Sequence, residues 1–210
     1  MKYNFIAIEG NIGSGKTSLA NKMAFQNDSR LILENYADNQ FLPKFYDNSE
    51  KYAFPLELSF LIERYRQLEL EYGNFDLLKE PIVSDYYFYK SLIFAKANLK
   101  EQEFSVYSNL FHIICGSWPK PDLLIYLYLD IDKLQKNILK RGRHYEQNIS
   151  TEYLIKIQSS YLDYLEQQND MRILVLDINN IDFVNDPAHY SKLINKISDD
   201  YPLGFNKVIL

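Results

Sequence analysis

Short apolar runs rich in β-branched residues alternate along the chain with longer segments whose apolar residues recur at helical spacing. The first run ends at Glu9, immediately before a glycine-rich segment. The five runs that predict strands are residues 3–8, 31–33, 81–83, 123–129 and 173–176. Because strands alternate with helices, the pattern predicts an α/β fold with a parallel sheet and helices on both faces.

Seven helices are predicted in the segments that connect or follow these strands. They span residues 17–25, 53–72, 88–99, 103–116, 131–140, 151–168 and 188–197, and Gly73 is expected to close the second of them. Asp130 and Ser150 stand directly before two of these segments, as N-cap residues do. Neither a fixed-period repeat nor a Gly/Ser linker divides the chain, so we expect residues 1–210 to form one domain.

Composition limits the classes of function. With 210 residues and 47% hydrophobic content, the chain can bury one sizeable core. A formal net charge of -5 disfavours binding to a nucleic acid polymer, which needs a surplus of lysine and arginine. Cys115 is the one cysteine, so an internal disulfide is impossible and a reducing, cytoplasmic location is expected. Apolar runs stay short of the ~18 residues of a membrane span, so no membrane association is expected.

The glycine-rich segment matches the pattern G-x-x-x-x-G-K-[ST] between a predicted strand and a predicted helix. Its residues are Gly10, Asn11, Ile12, Gly13, Ser14, Gly15, Lys16 and Thr17, and Ser18 follows. In such a loop the backbone N–H groups surround a phosphate, and the lysine reaches the outer phosphates. The threonine hydroxyl can bind Mg²⁺. The motif therefore predicts that residues 10–18 bind ATP with Mg²⁺.

Two carboxylates follow predicted strands. Glu34 comes after the second strand and Asp85 after the third. Ligands bind at the carboxyl edge of an open parallel sheet, and a carboxylate there can take the proton of an attacking hydroxyl. Asp85 could hold Mg²⁺ or orient the acceptor. Simpler interpretations are a solvated surface acid for Glu34 and a helix N-cap for Asp85.

A dense basic cluster lies near residues 140–149, a segment that we interpret as a lid. It contains Lys140, Arg141 and Arg143, and Gly142 between the arginines allows a hinge. Arginine suits the charge that spreads over phosphoryl oxygens during transfer. The same cations could instead only stabilise the C-terminus of the preceding helix.

Together these segments resemble the deoxynucleoside kinase family, which includes deoxycytidine, deoxyguanosine and deoxyadenosine kinases. The resemblance covers most of the chain, through IEGNIGSGKT, LENYADNQFLPKFY, ELSFLIERYRQL, SDYYFYKSLIF and KRGRHYEQ. It implies a P-loop kinase fold with a five-stranded parallel sheet, and transfer of phosphate from ATP to the 5′-hydroxyl of a deoxynucleoside in nucleotide salvage. It also implies a homodimer formed through helices, for which residues 53–72 are a candidate face.

The resemblance also assigns roles on the acceptor side. It makes Glu34 the base that activates the 5′-hydroxyl. Tyr46 and Glu146 would hold the 3′-hydroxyl of the sugar, and Arg64 with Glu57 would face the nucleobase.

On the donor side, the resemblance assigns Arg141 and Arg143 to the grip on the phosphates, beside the loop lysine. Asp85 matches the acid of an acid–arginine pair, but Tyr86 stands where the family usually has the arginine. The loss of a fixed positive charge beside the reacting phosphoryl group can raise the barrier by several kcal/mol. A neighbouring cation such as Lys90 could compensate.

Two further departures lie near the expected nucleobase. Ser91 replaces an aspartate of many members, and Glu57 replaces a glutamine that reads the base. An ionised glutamate only accepts hydrogen bonds, whereas glutamine also donates. Guanine presents two adjacent donors, while adenine presents one donor and one acceptor. An ionised Glu57 in contact with the base therefore predicts a purine preference for deoxyguanosine over deoxyadenosine.

Two alternative functions remain open at this point. A nucleoside-monophosphate kinase would share the sheet and the loop, but Glu34 and Asp85 would repel an acceptor that already carries phosphate. A nucleotide-binding regulatory protein that has lost catalysis is suggested by Tyr86 and Glu57.

Overall fold

The computed structural model describes residues 2–35, 39–72, 80–115 and 119–210. The helix ends predicted at Gly73 and Gly116 lie outside these ranges. Within them, six parallel strands form one sheet in the order β2-β3-β1-β4-β5-β6. The strands are β1 (Phe5–Gly10), β2 (Arg30–Ile32), β3 (Ile82–Ser84), β4 (Leu123–Tyr128), β5 (Arg172–Asp177) and β6 (Gly204–Ile209).

Eight α-helices accompany the sheet in the described ranges. They are α1 (Lys16–Asn27), α2 (Leu42–Asp47), α3 (Ser49–Tyr72), α4 (Lys90–Asn98), α5 (Glu101–Cys115), α6 (Ile131–Arg141), α7 (Thr151–Glu166) and α8 (Pro187–Ile197). A short 3₁₀ helix, His144–Glu146, precedes α7. The seven predicted helices are thus present, and the six-residue α2 was missed because it is too short to show helical periodicity.

The sheet has a hydrophobic core on each face. Alternate residues of β1 point to opposite faces, as strand geometry requires. Ile6 and Ile8 belong to the core formed with α1, α6 and α8. Phe5 and Ala7 belong to the core formed with α3, α4, α5 and α7. The predicted α/β architecture with helices on both faces is confirmed.

The prediction of five strands was wrong by one. β6 pairs in parallel with β5 along its whole length, from Gly204 beside Arg172 to Ile209 beside Asp177. It is an edge strand with one neighbour, and its burial pattern is mixed rather than continuous. Such a strand needs no unbroken apolar run, which is the signal that identified the other five.

The two predicted N-caps behave differently. Ser150 precedes α7 and its side chain accepts the N–H of Tyr153 at 3.1 Å, which confirms the cap. Asp130 stands at the N-cap position of α6, but its carboxylate makes no cap bond. It accepts instead from Nδ2 of Asn179, just after β5, at 3.1 Å. Asp130 therefore ties α6 to the end of a neighbouring strand.

The strand order places the chemically interesting residues at one edge. β1 lies between β3 and β4: the chain passes from β1 to the edge strand β2, returns to β3 beside β1, and then continues on the other side through β4, β5 and β6. The segments that follow β1, β2 and β3 carry residues 10–17, Glu34 and Asp85. In a parallel sheet these segments leave from the same carboxyl edge, at the point where the strand order reverses.

Candidate active site

The loop after β1 is held closely around its lysine. Lys16, the first residue of α1, donates from Nζ to the carbonyl oxygens of Gly10 at 2.8 Å and Asn11 at 3.0 Å. The buried Asn11 side chain donates to the carbonyl of Leu154 at 2.8 Å and accepts the N–H of Ile12 at 2.8 Å. The loop is therefore anchored to α7 as well as to the sheet.

Two observations show that this loop fits a phosphate. Ser14 Oγ is buried and has no hydrogen-bond partner in the described part of the chain. Burial, followed by repulsion from Lys90, lowers the pKa of Lys16 to about 8. A bound anion would give the hydroxyl a partner and would favour the charged lysine, at the positive end of α1. Residues 10–18 are therefore suited to bind the triphosphate of ATP.

Asp85 joins the segments that follow three strands. Its Oδ2 accepts the hydroxyl of Thr17 at 2.6 Å, and its Oδ1 accepts the backbone N–H of Glu34 at 2.7 Å. The carboxylate is buried, with 3% of the residue exposed. The interpretation of Asp85 as a helix cap is not supported by these contacts, because both oxygens bind groups outside α4.

The predicted metal residues lie together, since the Thr17 hydroxyl is bonded to Asp85. Within residues 2–35, 39–72, 80–115 and 119–210, no group of three or more His, Cys, Asp or Glu side chains could hold a metal ion by itself. A site with few protein ligands fits Mg²⁺, which keeps several waters and binds phosphate oxygens. The residues present are therefore suited to a metal that arrives with a nucleotide.

Glu34 is held by two cations. Its Oε1 accepts from Nη2 of Arg64 at 2.5 Å and from Nε at 3.1 Å, and its Oε2 accepts from Nζ of Lys90 at 2.5 Å. The Glu34 side chain is 10% exposed, so it is not the solvated surface acid of the simpler interpretation. Burial alone would raise the pKa of Glu34, but Lys90 and then Arg64 outweigh burial and lower it to about 2.

Glu57 is buried with only half of its carboxylate bonded. Oε1 accepts from Nδ2 of Asn98 at 2.8 Å, whereas Oε2 has no partner among the described residues. Burial raises the pKa of Glu57 to about 7, against the smaller lowering effects of Asn98 and Arg64. Near neutral pH both the ionised and the protonated carboxyl are therefore populated.

The lid segment carries an ion-pair cluster. Glu146 is nearly buried and binds Arg141 through Oε2 and Arg143 through Oε1, the latter at 3.0 Å. Both arginines predicted to grip phosphate are thus paired with the acid predicted to bind the sugar. Tyr46 lies beside this cluster, and its ring stacks on Tyr145 with centroids 6.3 Å apart.

One predicted substrate-binding residue lies elsewhere. Tyr86 is buried with 2% exposed, and its hydroxyl donates to Oε1 of Gln67 at 3.1 Å. It lines a smaller pocket with Phe5 and Leu68 and is not among the residues that line the main cleft. The Tyr86 ring packs into the core beneath α3 and not into the main cleft, and its assignment to substrate binding stays a prediction.

The predicted acceptor-side and lid residues other than Tyr86 line one cleft, together with three residues of the phosphate loop. Its empty space, including the open mouth, is about 710 Å³. The lining residues are Ile12, Lys16, Thr17, Glu34, Leu42, Tyr46, Glu57, Phe60, Arg64, Asp85, Lys90, Phe94, Arg141, Arg143 and Glu146. The structure thus brings the phosphate loop, both strand-end acids, the lid and the two polar residues of α3 into contact with one space.

Three apolar lining residues were missed from the sequence: Leu42, Phe60 and Phe94. Phe60 lies between Glu57 and Arg64 at spacings of three and four residues, which place all three on one face of α3. Phe94 follows Lys90 by four residues on α4. Helical spacing thus places each ring on the same helix face as a polar residue of the cleft.

The model of one protein family, deoxynucleoside kinase, matches residues 6–201 of this chain. The chain belongs to the deoxynucleoside kinase family. Among curated relatives of this kinase, the deoxyguanosine kinase of Bacillus subtilis (strain 168) is 35% identical over 199 residues, covering 93% of this chain and 96% of that one. The deoxyadenosine/deoxycytidine kinase of the same organism is 27% identical over 201 residues, covering 94% and 93%.

Solved structures share the fold of this deoxynucleoside kinase. A deoxyadenosine kinase from M. mycoides with bound dCTP superposes with a TM-score of 0.78 at 22% identity, covering 91% of this chain and 97% of that one. Deoxynucleoside kinases use ATP as phosphate donor. None of the helices in the described ranges combines the length and apolar character needed to cross a membrane.

The packing of the phosphate loop predicts that one methyl group added at Gly13 weakens nucleotide binding. An added Cβ at Gly13 (φ +85) would lie 2.8 Å from the Leu134 carbonyl, whereas one at Gly204 (φ +92) would meet nothing closer than 3.9 Å. Gly13→Ala and Gly204→Ala both incur left-handed backbone strain of about 1–2 kcal/mol. Only Gly13→Ala also overpacks the loop against α6, which adds about 1–3 kcal/mol.

We therefore expect Gly13→Ala to weaken ADP binding by roughly tenfold or more, as measured by calorimetry. Gly204→Ala, at a residue that does not line the cleft, serves as the matched control and should lose clearly less affinity. Equal losses in the two variants would contradict the tight approach of the loop to α6.

Proposed function

We propose that this kinase transfers the γ-phosphoryl group of Mg·ATP to the 5′-hydroxyl of a purine deoxynucleoside, with deoxyguanosine preferred. One observation carries the proposal: Asp85 bonds both to Thr17 of the phosphate loop and to the backbone of Glu34. A phosphate held by the loop and a hydroxyl directed at Glu34 would therefore meet in one cleft. Holding both reactants in one geometry is a major part of catalysis of phosphoryl transfer.

Most polar groups of the cleft have a role in this proposal. Lys16, Arg141 and Arg143 stabilise charge on the phosphates, and Glu34 accepts the hydroxyl proton. Mg²⁺, bound with the nucleotide near Thr17 and Asp85, would neutralise phosphate charge. Tyr46 and Glu146 bind the sugar, which requires Glu146 to exchange part of its present pairing with the lid arginines.

Glu57 gives the proposal its purine preference. Phe60 and Phe94 offer apolar surfaces in the same cleft, while Glu57 Oε2 is buried and unpaired within the described residues. A buried polar atom without a partner is costly, so a ligand that bonds to it gains affinity. Ionised Glu57 can accept both adjacent N–H groups of guanine, whereas protonated Glu57 can donate and accept as adenine requires.

The deoxyguanosine kinase similarity supports the same preference, although the dual-specificity relative shows that the family admits other bases. A nucleoside-monophosphate acceptor is disfavoured because Glu34, Glu57 and Asp85 all line the cleft and would oppose a second anion there.

A homodimer and a cytoplasmic location are also part of the proposal. The helices α3 and α5 pack against each other and carry large apolar side chains that are exposed in the single chain. Leu70 is 79% exposed, Val106 60% and Ile113 81%. Val106 and Ile113 are seven residues apart, so they lie on one face of α5. This face, together with that of α3, is the proposed dimer surface.

The proposed role of Glu34 predicts that replacing it reduces turnover but leaves the affinity for ATP nearly unchanged. Glu34→Gln removes the proton acceptor but not the phosphate loop, so ATP affinity should change little while turnover falls by roughly 10²–10⁴-fold. Calorimetry with ADP and an assay of ADP release measure the two effects. Glu50→Gln, at an exposed position of α3, is the matched control. Retained turnover in Glu34→Gln would remove Glu34 from the mechanism.

The raised pKa of Glu57, about 7, predicts a pH-dependent choice of purine. As pH rises through this value the carboxyl loses its proton, so guanine binding improves and adenine binding declines. We expect the ratio of kcat/KM for deoxyguanosine to that for deoxyadenosine to rise roughly tenfold or more from pH 6 to pH 8. Other pH-dependent steps affect both purines, so the ratio isolates Glu57.

Glu57→Gln is the control for this titration, because its amide does not ionise in this range. The ratio should shift toward deoxyadenosine and become independent of pH. The same pH dependence in Glu57→Gln and in the wild type would show that another group selects the base.

The proposed dimer surface predicts that aspartates introduced on α5 dissociate the dimer. Val106→Asp and Ile113→Asp would bury carboxylates without partners in the proposed interface, which is strongly unfavourable. Analytical ultracentrifugation should then show a dimer for the wild type and a monomer for the double variant. Ile155→Asp, on the exposed face of α7, is the control and should remain dimeric. A monomeric wild type would contradict the proposal.

A further inference from the structure

Lys90 is the residue of the cleft whose role the preceding mechanism leaves open. It is the first residue of α4, its side chain is 11% exposed, and its Nζ lies 2.5 Å from Oε2 of Glu34. The ammonium also lies 5.3 Å from the centre of the Phe94 ring. An ammonium group has three donors on a flexible four-carbon chain, so the contact with Glu34 leaves capacity for a further acceptor.

The arginine on the other side of Glu34 is more firmly fixed. Arg64 binds Oε1 of Glu34 through two nitrogens and donates from Nη1 to Oγ of the buried Ser91 at 2.9 Å. This planar group is therefore anchored at both ends. Of the two cations on Glu34, Lys90 is the one whose contacts allow it to move while Arg64 keeps the carboxylate in place.

Lys90 also lies close to the phosphate loop. After burial, repulsion from Lys90 is the largest cause that lowers the pKa of Lys16. Glu9, buried at the end of β1, also interacts electrostatically with both lysines. The other charged groups around the pair are Glu34 after β2, Asp85 after β3, and Glu57 and Arg64 on α3. Two ammonium groups that repel each other in a partly buried cleft favour an anion between them.

We propose that Lys90 is a catalytic residue that exchanges Oε2 of Glu34 for an oxygen of the transferring phosphoryl group. The proposal rests on the function proposed above. When phosphate is present, Lys90 gains a second anionic partner and Glu34 stays held by Arg64. The movement places a positive charge where negative charge develops, and it leaves Oε2 of Glu34 open to the incoming hydroxyl.

Phosphoryl transfer forms one bond to phosphorus and breaks another. The 5′-oxygen of the nucleoside forms a bond to the γ-phosphorus, and the bond from that phosphorus to the bridging oxygen breaks. The electron pair of the broken bond leaves with ADP. The hydroxyl proton passes to Oε2 of Glu34 and then to solvent. Lys90 keeps its proton throughout and stabilises the phosphoryl oxygens.

The decisive question is whether Lys90 contacts the phosphoryl group itself or acts only by positioning Glu34. A double-mutant cycle separates the two roles. Lys90→Met keeps an unbranched chain beside Phe94 and leaves Glu34 paired with Arg64. It is combined with Glu34→Gln, and Lys96→Met at an exposed position of the same helix is the control.

The probe is ADP with Mg²⁺, aluminium fluoride and a deoxynucleoside that the wild type phosphorylates, because aluminium fluoride mimics the transferring group. We expect Lys90→Met to weaken this complex by roughly 10²–10³-fold, both in the wild-type background and in the Glu34→Gln background. Binding of ADP alone and of the deoxynucleoside alone should change far less. Lys90→Arg should recover part of the affinity, and Lys96→Met should match the wild type.

A loss that disappears in the Glu34→Gln background would overturn the proposal, since Lys90 would then act only through Glu34. An undiminished affinity in Lys90→Met would overturn it as well. Lys90→Gln, which retains a hydrogen-bond donor without the charge, replaces Lys90→Met if thermal unfolding shows that the latter is misfolded. A wild type that releases no ADP with any deoxynucleoside would instead refute the proposed function, which is a separate result.

Discussion

The buried carboxylate of Asp85 fixes the geometry on which the rest of the cleft depends. By accepting the hydroxyl of Thr17 and the backbone N–H of Glu34, it connects the segments that follow β1, β2 and β3. A buried carboxylate without such partners is strongly unfavourable, so the three segments are held together. Glu9 adds a second connection, because it accepts the N–H of Tyr87 at 2.6 Å and the hydroxyl of Tyr161 at 2.8 Å.

The electrostatics of the cleft follow from this rigid frame. The protein is acidic overall, with a formal net charge of -5, yet five lysine and arginine side chains line the cleft. Glu34 and Glu146 form direct ion pairs with four of them, two cations to each carboxylate. Buried cations need such partners. An anionic ligand can replace a carboxylate as the partner of a cation, so binding of the donor can be coupled to the release of acids that act on the acceptor.

The sequence predicted the strands β1 to β5, seven of the helices and the phosphate loop because each leaves a local signal. A buried parallel strand is a continuous apolar run, and the loop needs glycines at fixed spacing before a helix. The edge strand β6 and the short helix α2 were missed because neither has to bury a full face. Phe60 and Phe94 were missed because an aromatic residue of the core and one of the cleft have the same local pattern.

By itself, the sequence determined the fold class through the spacing of its apolar residues, and its resemblance to the deoxynucleoside kinases identified the family and most polar residues in the cleft. Only the tertiary structure decided which groups bond to one another. It paired Glu34 with Lys90 and Arg64. It left one oxygen of the Glu57 carboxylate without a partner among the described residues, and it buried the Tyr86 side chain in the core. These outcomes depend on distances between residues far apart in sequence and on the burial that shifts a pKa, neither of which is encoded in any short segment.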